Sequence, residues 1–329
     1  MRPRSIVLHT VVTITIALPG SPQAFAATQI PDIPRWLQAH VGTGDGKIAP
    51  VVLQRARALY QKKMSEGAIN NPCYFAMDAT RPSTSPGGGV GRRFYIICEV
   101  NRSFRAMSSG HGSGRNLRGF ADFSNGRQCE KHFSNAEGSK LITGGSYVTA
   151  ETRTSFKGYY RVADKMMPFR RSFLQFEGEG DTANAREREI GGHSAVVLRW
   201  SCRWKDPDSP FADQDGYVPY GTLTDYTGGR SNGCTSWSPS ESKQIFALVQ
   251  DRPTTLYIYP EAGDINAVAR AVEAGLPSSR AGFYWNASCL QAIHSPKFWP
   301  KEILDPIIAR YRKDHPPPPS QPLPLCKGQ

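Results

Sequence analysis

Seven cysteines follow an N-terminal stretch that reads as an export leader: Cys73, Cys98, Cys129, Cys202, Cys234, Cys289 and Cys326. No other feature constrains the fold as much. Export delivers a chain to an oxidising compartment, where thiols pair and stay paired. An odd count leaves at least one thiol unpaired in a monomer. The leader is residues 1–26. Arg2 and Arg4 supply its positive start, residues 6–18 a short apolar run, and Ala24-Phe25-Ala26 a small-x-small cleavage pattern. His9, Thr10, Thr13 and Thr15 make that run too polar and short for a membrane span, although an uncleaved anchor is the alternative reading. No later stretch is apolar enough to span a bilayer, so no transmembrane segment is expected after cleavage. The periplasm or cell envelope is the expected location.

Six cysteines are expected in up to three disulfides, and Cys234 is expected free. Cys98 ends a Phe-Tyr-Ile-Ile run and Cys289 follows Tyr-Trp, both packed settings, whereas Cys234 lies in a small, glycine-bearing turn. The alternative, with Cys234 bridged and another thiol spare, and the pairing itself stay open. The formal charge is +12, from 40 Lys and Arg against 28 Asp and Glu, so an anionic surface such as cell wall or lipid headgroups suits the chain. Nucleic acid is not the expected partner, because export removes the chain from it and no dense Lys/Arg run is interleaved with aromatics. There is neither a Cys-x-x-Cys pair nor a His-Glu-x-x-His element, so no metal or other cofactor is expected.

Along the chain, residues 49–66 have helical spacing (Val52, Ala56, Leu59, Tyr60) and stop at Gly67. Residues 73–78, 93–100 and 103–109 read as strands, the last two as a hairpin. Residues 110–146 read as mostly loop, a length usually functional or mobile. Short strands are expected at 146–149 and 159–162 and a longer one at 188–200. Residues 201–230, with Pro207, Pro210 and Pro219, read as an inserted loop or flap. Ser238-Pro239-Ser240-Glu241 is a helix start with a capping box. A strand at 254–259 and a helix at 264–274 follow. The Pro-rich tail (Pro316 to Pro319, Pro322, Pro324) is expected to be extended and pinned by Cys326. The division is a leader (1–26), an N-terminal helical extension (27–69), a β-dominated domain (70–262) and a C-terminal extension (263–329), with no internal repeat.

The chemistry-bearing segment is Gly229-Arg230-Ser231-Asn232-Gly233-Cys234-Thr235, with Gly192-His193-Ser194 upstream. A thiol on a sharp turn and an imidazole to take its proton are what nucleophilic thiol catalysis needs. Gly233, Ser231 and Asn232 shape that turn, and backbone N–H groups at Gly233 and Cys234 suit an oxyanion. Arg230 reads equally as a carboxylate binder or a solvated loop charge. His111, in a Gly/Ser loop, reads as a cleft residue or a histidine bonded to loop backbone. Trp237 and Tyr226 read as substrate-packing aromatics or as ordinary packing.

These motifs resemble the L,D-transpeptidase (YkuD-type) family, in particular its murein L,D-transpeptidase-like branch. The family pattern of an upstream histidine followed by Ser/Thr-His-Gly-Cys is matched by His193 and Ser231-Asn232-Gly233-Cys234. Phe75-Ala76-Met77-Asp78, Arg81-Pro82-Ser83, Gly110-His111-Gly112-Ser113-Gly114, Phe133-Ser134-Asn135 and Leu256-Tyr257-Ile258-Tyr259-Pro260 come in the branch's order. The likeness spans roughly residues 70–262. Asn232 stands where the signature has histidine, Ser194 where glycine is usual, and Ser236 where many members carry Arg or Asn. The resemblance implies a mainly β fold, a YkuD-type β-sandwich or barrel core with a few helices and long loops. It implies that Cys234, helped by His193, attacks the bond between a diamino acid and D-alanine in a peptidoglycan stem tetrapeptide. The resulting thioester passes to an amine, giving a 3→3 cross-link. Two alternatives are an L,D-carboxypeptidase or endopeptidase using water, and an inactive secreted peptidoglycan-binding protein.

Overall fold

A computed structural model describes residues 33–84, 89, 91–163, 165–279, 282–319 and 321–327. The leader and the first part of the N-terminal extension lie outside the described residues. The chain is mainly β, with 35% strand against 23% helix, as expected from the sequence.

Ten strands make one mixed sheet: β1 (Cys73–Asp78), β2 (Arg92–Cys98), β3 (Ser103–Ser108), β4 (Gly145–Val162), β5 (Lys165–Gly178), β6 (Gly191–Ser194), β7 (Val196–Lys205), β8 (Tyr217–Asp225), β9 (Thr235–Trp237) and β10 (Thr255–Tyr259). Their order is β9-β6-β5-β4-β10-β1-β2-β3; β8 also pairs with β4, and β7 pairs with β8. The β1–β10 and β6–β9 pairs are parallel.

The centre of the sheet is buried on both faces. Side chains alternate across a strand, so Phe75 and Met77 of β1 enter one core with Leu256, Ile258, Trp237 and Ile245, while Tyr74 and Ala76 enter another. Helix α1 (Pro50–Ser65) covers the second face with Val52, Leu53, Ala56 and Leu59. Pro50 opens this helix, where its missing N–H costs no hydrogen bond. Burying each of Val52, Leu53 and Leu59 stabilises the fold by about 1.5–3 kcal/mol. Helix α2 (Pro239–Val249) starts with the expected capping box: Ser238 Oγ accepts from the Glu241 N–H, and the Glu241 carboxylate accepts from the Ser238 N–H.

The C-terminal extension packs back on the body. Helix α3 (Ala262–Glu273) is tied to α1 by a two-pronged Arg55–Asp264 pair at 2.6 and 2.9 Å. Helix α4 (Ala287–Ile293) carries Cys289, bridged to Cys129, and α5 (Lys301–Asp314) packs Leu304 and Ile308 on Leu117, Phe123 and Leu141. The disulfides Cys73–Cys98 and Cys202–Cys326 complete three bridges, and Cys234 is the free thiol. The tail is pinned as expected: besides the bridge, Arg203 N–H donates to Pro324 O at 2.8 Å and Cys326 N–H to Arg203 O at 3.0 Å. Three disulfides fit an oxidising compartment. Among the described residues, no helix is long and apolar enough to cross a membrane.

Three sequence expectations are corrected. Residues 201–230 are not a loop; β7 and β8 form a hairpin, and Pro207 and Pro210 sit in its connection while Pro219 lies in the ladder opposite Arg203. Residues 146–149 and 159–162 are the two ends of one strand, β4, whose middle is exposed and so carries no alternation of apolar residues. The outer parts of β4–β5 and the β7–β8 hairpin pair at Tyr220–Tyr159 and Gly221–Tyr160, making a four-stranded arm. The expected strand at 188–200 is broken at Ala195, whose N–H donates to Trp237 O at 2.6 Å and whose carbonyl accepts from Tyr226 N–H at 2.8 Å.

Candidate active site

A cleft of about 730 Å³ opens between the sheet's β6–β9 edge and the base of the arm. Cys234, His193, Ser231, Asn232, Arg230 and Tyr226 all line it. Parallel pairing of β6 with β9 sets His193 opposite Ser236, two residues beyond Cys234 on the adjacent strand. Neighbouring strands lie about 4.8 Å apart.

The turn before β9 is locked in place. Gly233 has φ +103°, a conformation that favours glycine, and a Cβ there would meet the Leu141 carbonyl oxygen and Ile190 Cδ1 tightly, at 3.1 Å. Ser231 Oγ reaches the carbonyls of His111 and of Cys234, holding the turn to the loop beneath it. The N–H groups of Asn232, Gly233 and Cys234 donate to no loop or turn carbonyl among the described residues.

Cys234 is half-buried, and its thiol donates to the Glu189 carbonyl at 3.5 Å. Burial pushes the thiol pKa up; the Gly191 N–H and the charges of Arg171 and Arg188 pull it down without overcoming burial. His193, 6% exposed, stacks on Phe173. Burial, with help from Arg171, lowers its pKa to about 4. The imidazole is therefore neutral at neutral pH. Its Nδ1 lies 2.9 Å from the Ser194 carbonyl, so Nδ1 carries the proton and Nε2 keeps its lone pair. Tyr226 OH stands 3.5 Å from the same Nδ1 and 3.3 Å from Arg171 Nη1. Cys234 is thus held as a thiol and His193 as a neutral imidazole in the same cleft, and no hydrogen bond joins the two side chains among the described residues.

Two sequence candidates lie elsewhere. Trp237 is fully buried, edge-on to Phe94 with ring centroids 5.2 Å apart, and fills space that Gly192 leaves open. It packs the core beneath the site and cannot meet a substrate. His111 is also fully buried; its Nε2 lies 3.3 Å from the Gly126 carbonyl, and its backbone pairs with Arg230. It props the cysteine turn from below, which is the loop-backbone reading of that residue. Arg230 reaches the cleft while its Nη1 donates to Asn125 O at 3.1 Å.

Sequence reading missed the arm's contribution: Arg153, Phe156, Arg171, Phe173, Arg199 and Thr224 face the cleft, as do Arg188 and Glu189 from the segment before β6. Only the alternation of β4 and β5 would have aligned Arg153 and Arg171 on one face, and their charged, exposed middles obscure it. Among the described residues no His, Cys, Asp and Glu cluster suits a metal. Comparison with family models, with curated proteins and with solved structures gave no match.

Proposed function

We propose that the protein is a cysteine acyltransferase of the cell envelope, a peptidoglycan L,D-transpeptidase. The observation that carries this reading is the presence, in one cleft, of the free thiol Cys234 and a neutral imidazole, His193, whose proton is fixed on Nδ1 by the Ser194 carbonyl. The likeness of the His193 and Ser231-Asn232-Gly233-Cys234 segments to the L,D-transpeptidase signature supplies the substrate.

In this reading, His193 Nε2 takes the Cys234 proton as Sγ attacks the carbonyl of the diamino acid at position three of a stem tetrapeptide. The oxyanion meets the N–H groups of the Gly233–Cys234 turn; one such donor contributes about 2.7–4 kcal/mol in measured cases. The imidazolium returns its proton to the departing D-alanine amine, leaving a thioester on Sγ. A side-chain amine of a second stem attacks the thioester and gives its proton to His193; the C–S bond breaks, the 3→3 amide forms, and the departing Cys234 thiolate takes the proton back from His193. Tyr226 and Arg171 hold the imidazole side of the cleft.

Incubation of the purified protein with tetrapeptide muropeptides tests the reading. Cross-linked dimers with release of D-alanine are expected. Tripeptide with no dimer identifies water as the acceptor, and unchanged tetrapeptide rules out the enzyme.

A further inference from the structure

The charge lining the cleft is one-sided. Arg153, Arg171, Arg188, Arg199 and Arg230 face it; among the described residues the one carboxylate lining it is Glu189, which pairs with Arg153 at 3.3 Å. Among the described residues no carboxylate lies within ion-pair distance of the other four. Arg171 is buried; its Nε donates to Ser155 Oγ at 2.9 Å and its Nη1 to Val196 O and Tyr226 OH, both at 3.3 Å. Its guanidinium lies over the Phe156 ring at 4.2 Å. Arg188 is half-buried and donates to Thr143 Oγ1 and Leu141 O, both at 2.7 Å.

All these acceptors are neutral. They orient the guanidinium groups without cancelling their charge. Keeping cations partly out of water is costly unless a counter-charge arrives. Both groups are close enough to Cys234 to act on its thiol. Arg199 and Arg230, more exposed, extend the same field to the mouth of the cleft. The missing partner is an anion that enters with the acyl group, and guanidinium matches carboxylate geometry in two-point contacts.

Resting on the acyl-transfer reading above, we propose that the cleft selects its acyl donor by free carboxylates. The preferred donor is a stem peptide carrying at least two unamidated carboxylates near the scissile bond. Amidating them replaces charge with a neutral group of nearly equal size and removes what the arginines recognise. Arg171 and Arg188 are the fixed recognition charges, and Arg199 and Arg230 gather the donor.

The test compares a synthetic tetrapeptide stem with all carboxylates free against the same peptide with its second-residue and diamino-acid carboxylates amidated. Equilibrium binding is measured on Cys234→Ala, which keeps the cleft and removes the chemistry. At least tenfold tighter binding of the free peptide is expected, shrinking as salt is raised. Arg171→Gln should weaken the free peptide and leave the amidated one unchanged; a purely structural role would weaken both. Arg199→Gln, at an exposed position, makes the same comparison if Arg171→Gln does not fold. Binding within twofold for the two peptides, binding of neither, or an undiminished preference in the folded arginine variants overturns the proposal. Thioester formation on the wild-type protein is followed separately by intact mass. Equal binding with thioester formation leaves the acyl-transfer reading standing and overturns donor selection, while charge-selective binding without thioester sinks the acyl-transfer reading and donor selection with it, leaving only a carboxylate-binding cleft.

Discussion

The two halves of the sheet differ in what holds them. At β1, β2 and β10, apolar side chains are buried on both faces, and a disulfide, Cys73–Cys98, joins adjacent strands. In the arm, the outer parts of β4 and β5 with β7 and β8 expose Trp200, Val162, Met166 and Met167 and carry much of the cleft's positive charge. The proposed catalytic pair sits at the seam. Cys234 and His193 are mounted on the sheet, while Tyr226, Arg171 and Arg153 reach them from the base of the arm. The difference is a division of labour: β6 and β9, tied to the core through the buried Trp237, hold His193 and Cys234, and the exposed arm lines the cleft with charge.

The largest expected effect breaks the site without touching either half. His193→Ala should slow Cys234 acylation at neutral pH by about 10²–10⁴-fold, the usual range for loss of a general base. The residual rate should rise about tenfold per pH unit in the alkaline range, because only the ionised thiol then attacks and burial has raised its pKa. Stopped-flow acylation across pH checks this; a loss below tenfold would remove His193 from the base role.

Next in size is the contrast in stability. Phe75→Ala, in the doubly covered half, should cost about 3–5 kcal/mol. Met167→Ala, on the exposed arm, should stay within about 0.5 kcal/mol. Denaturant unfolding of both variants measures the contrast, and similar losses would mean that the arm is as tightly packed as the centre.

The smallest effect concerns charge buried around the seam. Burial lowers the pKa of His193 to about 4 and that of His111 to about 3. The folded chain holds both neutral, so stability is full above the unfolded histidine value of about 6.5 and is lost as pH falls toward 4. Glu130, fully buried beside Arg93 at 2.9 Å, has its pKa pushed up to about 7. Its contribution runs the other way: it is full below about 4.5, the range of an unfolded glutamate, and is lost as pH rises toward 7. His111→Gln should therefore flatten the fall in melting temperature from pH 6.5 to 4, and Glu130→Gln should flatten the loss from pH 4.5 to 7. Shifts of the same sign in both variants would contradict these assignments.

The covered half was legible in the sequence because local rules agree with tertiary packing there. Pro50 and Gly67 bound α1, Ser238 and Glu241 cap α2, and β1 is a continuous apolar run. The free thiol was legible too, since Cys234 alone sits on a glycine-bearing turn. The arm was not. Arg199, Trp200 and Ser201 are all exposed, so β7 lacks the alternation of a half-buried strand, and prolines in its connection imitate a loop. For Trp237 and His111 the sequence left a substrate contact and ordinary packing both open, and the structure selects packing. Sequence proximity to the cysteine gives no facing direction, and the pairing of β9 with β6 carries the Trp237 ring into the core.

The most direct test is to treat the protein with excess tetrapeptide stem, quench in acid, and locate any adduct by intact mass and peptide mapping. The account predicts one tripeptidyl thioester on Cys234, labile to hydroxylamine, and none on Cys234→Ala. An unmodified Cys234, or an acyl group carried on another residue, would contradict it.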